Sequence, residues 1–338
     1  MTKLLTLNNH RAWEHDENDP SGYFHTYDNL ALNSNDQPRK VHVFLPRGYS
    51  DNNRHYPVVY MNDGNTTFWP NGDNSPYSWE VRKTLDQLYQ KSDIRSVIVV
   101  AVHPLDRAYE YLHVKEIEDP SRLLNDPSRL LNDPSRLFID PSRLLNDPLK
   151  LFNLLDSSLR KGGGLPEYSE YLVRVKAFVD STYRTLSNSE DTTIIGSSHG
   201  GLAAFYTGCV HSEYFGNVGA LSPSFWVGLI APPARTSLQQ STLLTMLAPY
   251  LQQTNKHHPR IWIDWGLERS GGYHNSLIEA QAAEKSEEMI HLLVQEYGYT
   301  LEKDLFKYVD EIGGHNEQAW AYRFGLILKK YYPYDDRP

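Results

Sequence analysis

The sequence is poor in cysteine, in positive charge and in long apolar runs. Cys209 is the single cysteine among 338 residues, which excludes an internal disulfide and a metal site built from several cysteines. The net charge of −9 argues against nucleic acid or an anionic membrane as the main partner. No run approaches the ~18 apolar residues of a membrane span, and acidic residues interrupt the start before a signal-peptide core could form. We therefore expect a soluble, cytoplasmic protein.

Short apolar runs recur along the chain with amphipathic stretches between them. The predicted strands are 41–46, 56–63, 96–102, 192–198, 217–222, 260–266 and 305–314. The predicted helices are 78–91, 166–187, 200–212, 237–253, 274–298 and 317–331. This alternation predicts an α/β fold, with a mainly parallel central sheet flanked by helices in a single domain over 1–338. The first two strands are close in the chain, which favours an antiparallel start.

A seven-residue unit, "DPSRLLN", repeats with little variation from residue 119 to 148. Each unit contains a proline, so a continuous coiled coil is excluded, and Asp followed by Pro predicts a series of short helical turns. The repeat lies between a strand and a helix, which predicts an insertion over 119–150 in one crossover. We favour a neutral expansion of a surface loop, and a lid over an active site is the alternative.

The stretch "GSSHG", from Gly196 to Gly200, follows a buried strand and precedes a helix. This is the context in which Gly-x-Ser-x-Gly forms a nucleophile elbow, a strained turn that exposes the hydroxyl of the central serine. Glycine at both flanking positions permits close approach of the backbone. We therefore predict that Ser198 is a nucleophile, while a structural serine in a glycine-rich turn is the alternative.

A serine nucleophile needs a base, and the base needs a carboxylate to orient it. His315 follows a predicted strand, precedes a helix and is approached through Gly313 and Gly314, so we predict it as the base. For the acid we prefer Glu268, in the loop after a strand, and hold Asp264, within that strand, in reserve.

The oxyanion of an acyl-transfer intermediate requires backbone N–H donors. The N–H of His199, directly after Ser198, is one candidate. A second is the loop at Gly64 and Asn65, where glycine allows backbone N–H groups to approach a ligand; an ordinary Asx-Gly turn is the alternative.

With these residues assembled, the chain resembles the putative esterase family of α/β hydrolases, which includes esterase D-type, feruloyl and enterochelin esterases and related mycolyltransferases. The resemblance extends over about residues 23–330. It depends on "RKVHVFLPRGY", "YPVVYMNDGNTTF", "SVIVVAV", "IIGSSHGGLAAFY", "GALSPSFW", "IDWGLE" and "GGHNEQAW". It implies Ser198 as nucleophile, His315 as base and an acid from the "DWGLE" loop, and it places Trp226 near the substrate.

The predicted function is hydrolysis of a carboxylic ester of a small molecule through an acyl-enzyme, with no metal or organic cofactor. Trp226 and Trp69 are predicted to contact the substrate, since tryptophans in or near the motif loops suit an aromatic acyl group. Two alternatives are an acyltransferase of the same fold and a catalytically silent scaffold whose repeat binds a partner. The sequence leaves the substrate and the oligomeric state open.

Overall fold

A computed structural model of the chain describes residues 2–71, 76–114, 162–229, 237–252, 258–272 and 274–334. The strands are β1 (Thr2–Leu7), β2 (His10–His15), β3 (Gly22–Leu30), β4 (Arg39–Pro46), β5 (Val58–Met61), β6 (Ile98–Val102), β7 (Thr192–Ser197), β8 (Asn217–Leu221), β9 (Arg260–Gly266) and β10 (Leu305–Asp310). The α-helices are α1 (Gly64–Thr67), α2 (Val81–Gln90), α3 (Arg107–Tyr111), α4 (Leu165–Thr182), α5 (His199–Val210), α6 (Thr242–Leu251), α7 (Glu279–Glu296) and α8 (Glu317–Tyr331). A π-helical turn, His274–Ile278, runs directly into α7.

The strands form one sheet in the order β1-β2-β3-β4-β6-β5-β7-β8-β9-β10. The six strands from β6 to β10 in this order are parallel, and β1 to β4 are joined by antiparallel pairing that ends at β6. The predicted α/β fold with a mainly parallel sheet is confirmed. The antiparallel start is present too, but β4 pairs with β6 rather than with β5, its neighbour in the chain.

Three strands at one edge, β1 to β3, were not predicted. β1 alternates between exposed and half-buried positions, so its apolar residues do not mark a buried face. The turn into β2 is made by Asn8 and Asn9, with φ of 45° and 64°. Asparagine tolerates this left-handed conformation, which two-residue hairpin turns require.

Helices cover both faces of the sheet. On one face, α2 and α8 pack with Leu85 and Phe324 against Val59 and Val99. On the other face lie α4, α5, α6 and α7, whose buried residues share a core with Val58, Val100 and Ile194. The central strands β6 and β7 are buried throughout, which explains the uninterrupted apolar sequence of β6.

The predicted insertion at 119–150 lies outside the described residues. None of the helices described is long and apolar enough to cross a membrane.

Candidate active site

The polar residues singled out in the sequence gather at one edge of the sheet. Because β5, β7, β9 and β10 are parallel, the segments that follow them lie at the same edge. These segments contain, in chain order, Gly64 and Asn65, Ser198, Glu268 and His315. The topology alone therefore creates the place where a site can form.

Ser198 occupies the sharp turn between β7 and α5. Its backbone has φ 54° and ψ −123°. Residues other than glycine rarely adopt this conformation, which costs on the order of 1–3 kcal/mol. A Cβ on Gly196 would lie 2.1 Å from the carbonyl oxygen of Gly200, so glycine is required there. The Ser198 N–H donates to the carbonyl of Leu221 at 3.0 Å, which holds the strained turn in place. The turn has the geometry of a nucleophile elbow.

A second serine, which the sequence analysis did not single out, lies against the hydroxyl of Ser198. The Oγ atoms of Ser198 and Ser224 are 3.3 Å apart, and the Ser224 N–H donates to the Ser198 carbonyl at 3.0 Å. Trp226, two residues further along the same loop, is half-buried.

His315 lies between β10 and α8, and a side chain from another loop fixes its backbone. Its N–H donates to Oδ1 of Asn275 at 2.9 Å. A Cβ on Gly314 would lie 2.4 Å from the same oxygen, so a larger residue before the histidine would displace Asn275. The imidazole is almost fully buried, and its Nδ1 lies 2.6 Å from Oε2 of Glu279.

Glu279 is the first residue of α7 and is fully buried. Its other oxygen, Oε1, accepts hydrogen bonds from the Ser222 hydroxyl at 2.8 Å and from the Gly266 N–H. Burial opposes ionisation, but the hydrogen bond from His315 and the nearby charges of His315 and Arg323 outweigh it and lower the pKa of Glu279. An ionised carboxylate only accepts hydrogen bonds, so Nδ1 of His315 carries a proton and donates it to Glu279.

The structure brings neither of the two predicted acids to His315. Glu268 lies on the surface side of its loop, where its carboxylate accepts from the Ser270 N–H and its pKa is lowered by that contact. Asp264 is fully buried, but its Oδ1 pairs with Nη1 of Arg323 at 2.6 Å and its Oδ2 accepts from the Trp262 ring at 2.8 Å. The carboxylate in contact with the imidazole is Glu279 instead.

Glu279 was missed because it lies thirteen positions after Gly266, the end of β9, in a stretch predicted as helix. The one available signal was its place near the start of an amphipathic helix, where a carboxylate is stabilised by the helix dipole. The π-helical turn His274–Ile278 directly precedes it.

The loop after β5 approaches the elbow from the other side. Asp63 is left-handed, with φ 55°, and its N–H donates to the Tyr111 hydroxyl at 2.8 Å. A Cβ on Gly64 would lie within 2.9 Å of the backbone of Ala101, so only glycine fits. Gly64 and Asn65 form the first turn of α1, whose N–H groups point out of the helix. Within the described part of the chain, Oδ1 of Asn65 is buried without a hydrogen-bond partner.

Arg107 joins this loop to the elbow. Its Nε donates to Asp63 Oδ1 at 2.7 Å, and its Nη1 lies 3.3 Å from Nδ1 of His199. Packing around the ring and the positive charge of Arg107 lower the pKa of His199 to about 3. The His199 ring is therefore neutral near pH 7 and faces Arg107.

A cavity of about 500 Å³ lies beside the segment that follows β5, and none of Ser198, Glu279 and His315 is part of its wall. Its wall includes Phe68, Trp69 and Tyr77 together with Arg82 and Gln318. The Arg82 guanidinium lies 5.5 Å from the centre of the half-buried Trp69 ring, within the range of a cation–π contact. Trp69 thus lines a cavity of ligand size.

Across the residues that the structure describes, no group of three or more histidine, cysteine, aspartate or glutamate side chains could hold a metal ion.

A family model described as "Putative esterase" matches residues 33–122 and 155–331, more than half of the chain. The interval between the two matched segments contains most of the heptapeptide repeat. No curated protein matches the chain in sequence.

Several solved structures share the fold. An IroE-like serine hydrolase from Shewanella oneidensis is 17% identical, with a TM-score of 0.58 over 91% of this chain and 79% of its own. The BES protein from Bacillus cereus is 16% identical, with a TM-score of 0.57 over 91% of this chain and 96% of its own. The siderophore hydrolase EstA from Aspergillus nidulans is 17% identical, with a TM-score of 0.52 over 88% of this chain and 89% of its own.

Proposed function

The chain belongs to the putative esterase family and is a carboxylic ester hydrolase, and we propose that it works through Ser198, His315 and Glu279. One observation carries the proposal: the buried contact of 2.6 Å between His315 Nδ1 and Glu279, at the sheet edge where the strained Ser198 turn is found. In this assignment Glu279 replaces Glu268 and Asp264 as the acid.

Each residue of the proposed triad has a defined role in an acyl-transfer cycle. Nε2 of His315 takes the proton of the Ser198 hydroxyl as its Oγ attacks the ester carbonyl. The tetrahedral intermediate collapses, His315 protonates the leaving alcohol, and an acyl-enzyme remains. Water, deprotonated by His315, then attacks the acyl-enzyme and releases the acid and the free serine. Glu279 holds the imidazole in the required tautomer and stabilises its charged form.

We assign the oxyanion donors to the backbone N–H of His199 and to the first turn of α1 at Gly64 and Asn65. The first N–H groups of α1 have no partner within the helix, as such donors require. Removing one such donor costs an enzyme about 10²–10³ in kcat.

We further propose that Trp69 and Trp226 contact the substrate, and that the cavity at Trp69 accepts an aromatic group of the ester. The cavity combines aromatic walls with Arg82, and its wall includes Gln318, on α8 three residues after His315. Solved structures of the same fold include one named as a ferulic acid esterase, with a TM-score of 0.51, and the siderophore hydrolase EstA. Replacing Trp69 with alanine should raise KM for an ester of an aromatic acid more than for the acetyl ester of the same alcohol.

The repeat at 119–150 is proposed as an insertion in the single domain, because the two segments matched by the family model flank most of it.

Transfer of the acyl group to an alcohol instead of water is the alternative chemistry, and product analysis with an added alcohol would reveal it. A silent scaffold predicts instead that no ester is hydrolysed and that a partner is lost when the repeat is deleted.

The test is hydrolysis of p-nitrophenyl esters by the wild type, by Ser198→Ala and by Ser197→Ala. Ser197 is the matched control, since it is the buried neighbour of Ser198. We expect Ser198→Ala to lose at least roughly 10³-fold in kcat, because the acyl-enzyme cannot form, while Ser197→Ala retains the wild-type rate. Equal rates for wild type and Ser198→Ala would refute the proposed nucleophile.

A further inference from the structure

A fully buried arginine, Arg323 on α8, lies directly beneath the contact between His315 and Glu279. Its guanidinium faces three carboxylates: Asp264 at 2.6 Å, Asp310 at 3.6 Å and Glu279 at 4.0 Å. None of the roles assigned above uses this arginine.

Arg323 reaches Glu279 through a serine hydroxyl. Nη1 of Arg323 donates to Ser222 Oγ at 3.1 Å, and the same hydroxyl donates to Oε1 of Glu279 at 2.8 Å. The hydroxyl therefore has a fixed direction: its proton points to the Glu279 carboxylate, and its oxygen accepts the hydrogen bond from Arg323. A chain of hydrogen bonds of this kind strengthens each of its members in a buried setting.

Arg323 also holds the backbone around His315. Nη2 donates to the carbonyl of Gly314, the residue before His315, at 3.0 Å, and Nε donates to the carbonyl of Ala319 at 3.3 Å. The guanidinium thus contacts the backbone just before His315 and, through Ser222, the carboxylate that the imidazole contacts.

The charges in this cluster do not balance, since one guanidinium faces three carboxylates. Burial raises the pKa of Asp264 to about 6 in spite of Arg323, whereas the pKa of Glu279 is lowered. Burial therefore disfavours the charge on Asp264, which is remote from the imidazole, whereas Glu279, which contacts the imidazole, stays charged.

We propose, on the basis of the function proposed above, that Arg323 is a positioning residue that fixes Glu279 through Ser222 and His315 through Gly314. Its guanidinium keeps the imidazole and the carboxylate in contact while the imidazole gains and loses its proton.

The test compares pH profiles of kcat/KM for the wild type, Arg323→Met and Arg323→Lys. Arg323→Met removes the charge and both hydrogen-bonding routes, so we expect kcat to fall roughly 10²-fold with KM within about 2-fold of the wild type. Loss of a positive charge also favours protonation of the pair, so the acid limb should move up by about one pH unit. Arg323→Lys keeps the charge but not the fork of donors; it should restore the acid limb and only part of kcat.

Asp264→Asn changes the net charge of the cluster in the opposite direction and leaves Arg323 itself in place. The groups that face the pair are Arg323 from α8, Asp264 from β9, Asp310 from β10, His199 from α5 and His274 from the π-helical turn. Removing one negative charge from this set disfavours protonation of the pair, so the acid limb should move down in pH. The shift is smaller than for Arg323→Met, because Asp264 is itself partly protonated near pH 6. This variant carries the test if Arg323→Met does not fold.

Arg39→Lys is the matched control, since Arg39 is also buried and paired with a carboxylate, Glu110, away from this cluster. It should lower stability without moving the pH profile. Unchanged kcat and unchanged limbs in both Arg323 variants and in Asp264→Asn would overturn the proposal. If the wild type hydrolyses no ester, the proposed function fails, and NMR then tests Arg323 separately: the downfield Nδ1 proton of His315 should be present in the wild type and lost in Arg323→Met.

Discussion

Arg39 and Arg323 are two buried arginines that occupy different kinds of environment. Arg39 pairs with a single carboxylate, Glu110, at 2.8 Å, and its guanidinium lies 4.1 Å from the centre of the Tyr171 ring. Arg323 faces three carboxylates and donates to two backbone carbonyls and a serine. The first pair joins β4 to α3 with one charge of each sign, whereas the second cluster carries an excess of negative charge.

The comparison shows how burial affects the ionisation of the carboxylates at each site. A balanced buried pair contributes little net stability but is costly to break, because removal of one partner leaves the other uncompensated. Burial raises the pKa of a carboxyl in both places, that of Glu110 beside Arg39 and that of Asp264, to about 6, beside Arg323. The Arg323 cluster differs in that Glu279, the carboxylate on His315, has a lowered pKa and stays charged, which is what the proposed chemistry needs.

The largest expected effect on kcat distinguishes the carboxylates at the two arginine sites. Glu279→Gln should lower kcat by about 10²–10⁴, because a neutral amide neither fixes the imidazole tautomer nor stabilises its charged form. Glu110→Gln, the equivalent change in the Arg39 pair, should reduce stability and leave kcat at the wild-type level. Steady-state ester hydrolysis with urea unfolding of both variants checks this, and equal loss of kcat would contradict it.

The next largest effect is on the stability of the protein and concerns the Arg39 pair. Arg39→Met should destabilise the protein by about 3–5 kcal/mol, since it leaves Glu110 buried and unpaired. The double variant Arg39→Met with Glu110→Leu should recover much of that loss. The free energy of unfolding in urea measures both, and additive losses in the double variant would show that the two side chains are not coupled.

A smaller effect concerns the pH dependence of stability at the Arg323 cluster. Asp264 has a pKa raised from 3.8 to about 6, so the folded state binds more protons than the unfolded state between these values and loses stability as pH rises through them. Asn cannot ionise and escapes this loss. From pH 4 to pH 7.5, the stability of Asp264→Asn relative to wild type should therefore improve by about 2–3 kcal/mol, at 1.36 kcal/mol per pKa unit. A pH-independent difference in unfolding free energy would contradict the raised pKa.

The smallest effect is expected at Glu268, the carboxylate preferred from the sequence. Its side chain bonds within its own loop and makes no contact with His315, so Glu268→Gln should change kcat by less than about 2-fold. Measured beside Glu279→Gln, it separates the two assignments of the acid. A large loss of kcat in Glu268→Gln alone would restore the first assignment.

The parallel sheet and the Ser198 turn could be predicted because each depends on local sequence. Central strands such as β6 are apolar throughout, and the Ser198 turn requires glycine two positions before and after it. His315 was found for a similar reason, through Gly313 and Gly314. The proposed acid, Glu279, could not be found in this way, because it lies at the start of a helix, and no residue pattern within one loop encodes its contact with the imidazole. The hairpin β1–β2 was missed because its strands bury no regular face.

The central claim is that Ser198 is an activated nucleophile, and labelling with a fluorophosphonate probe followed by peptide mass mapping tests it most directly. We predict a stoichiometric adduct on Ser198 in the wild type, none in Ser198→Ala, and much slower labelling in Glu279→Gln than in Glu268→Gln. A folded wild-type protein that gains no adduct at Ser198, or that labels as fast without Glu279, would contradict the account.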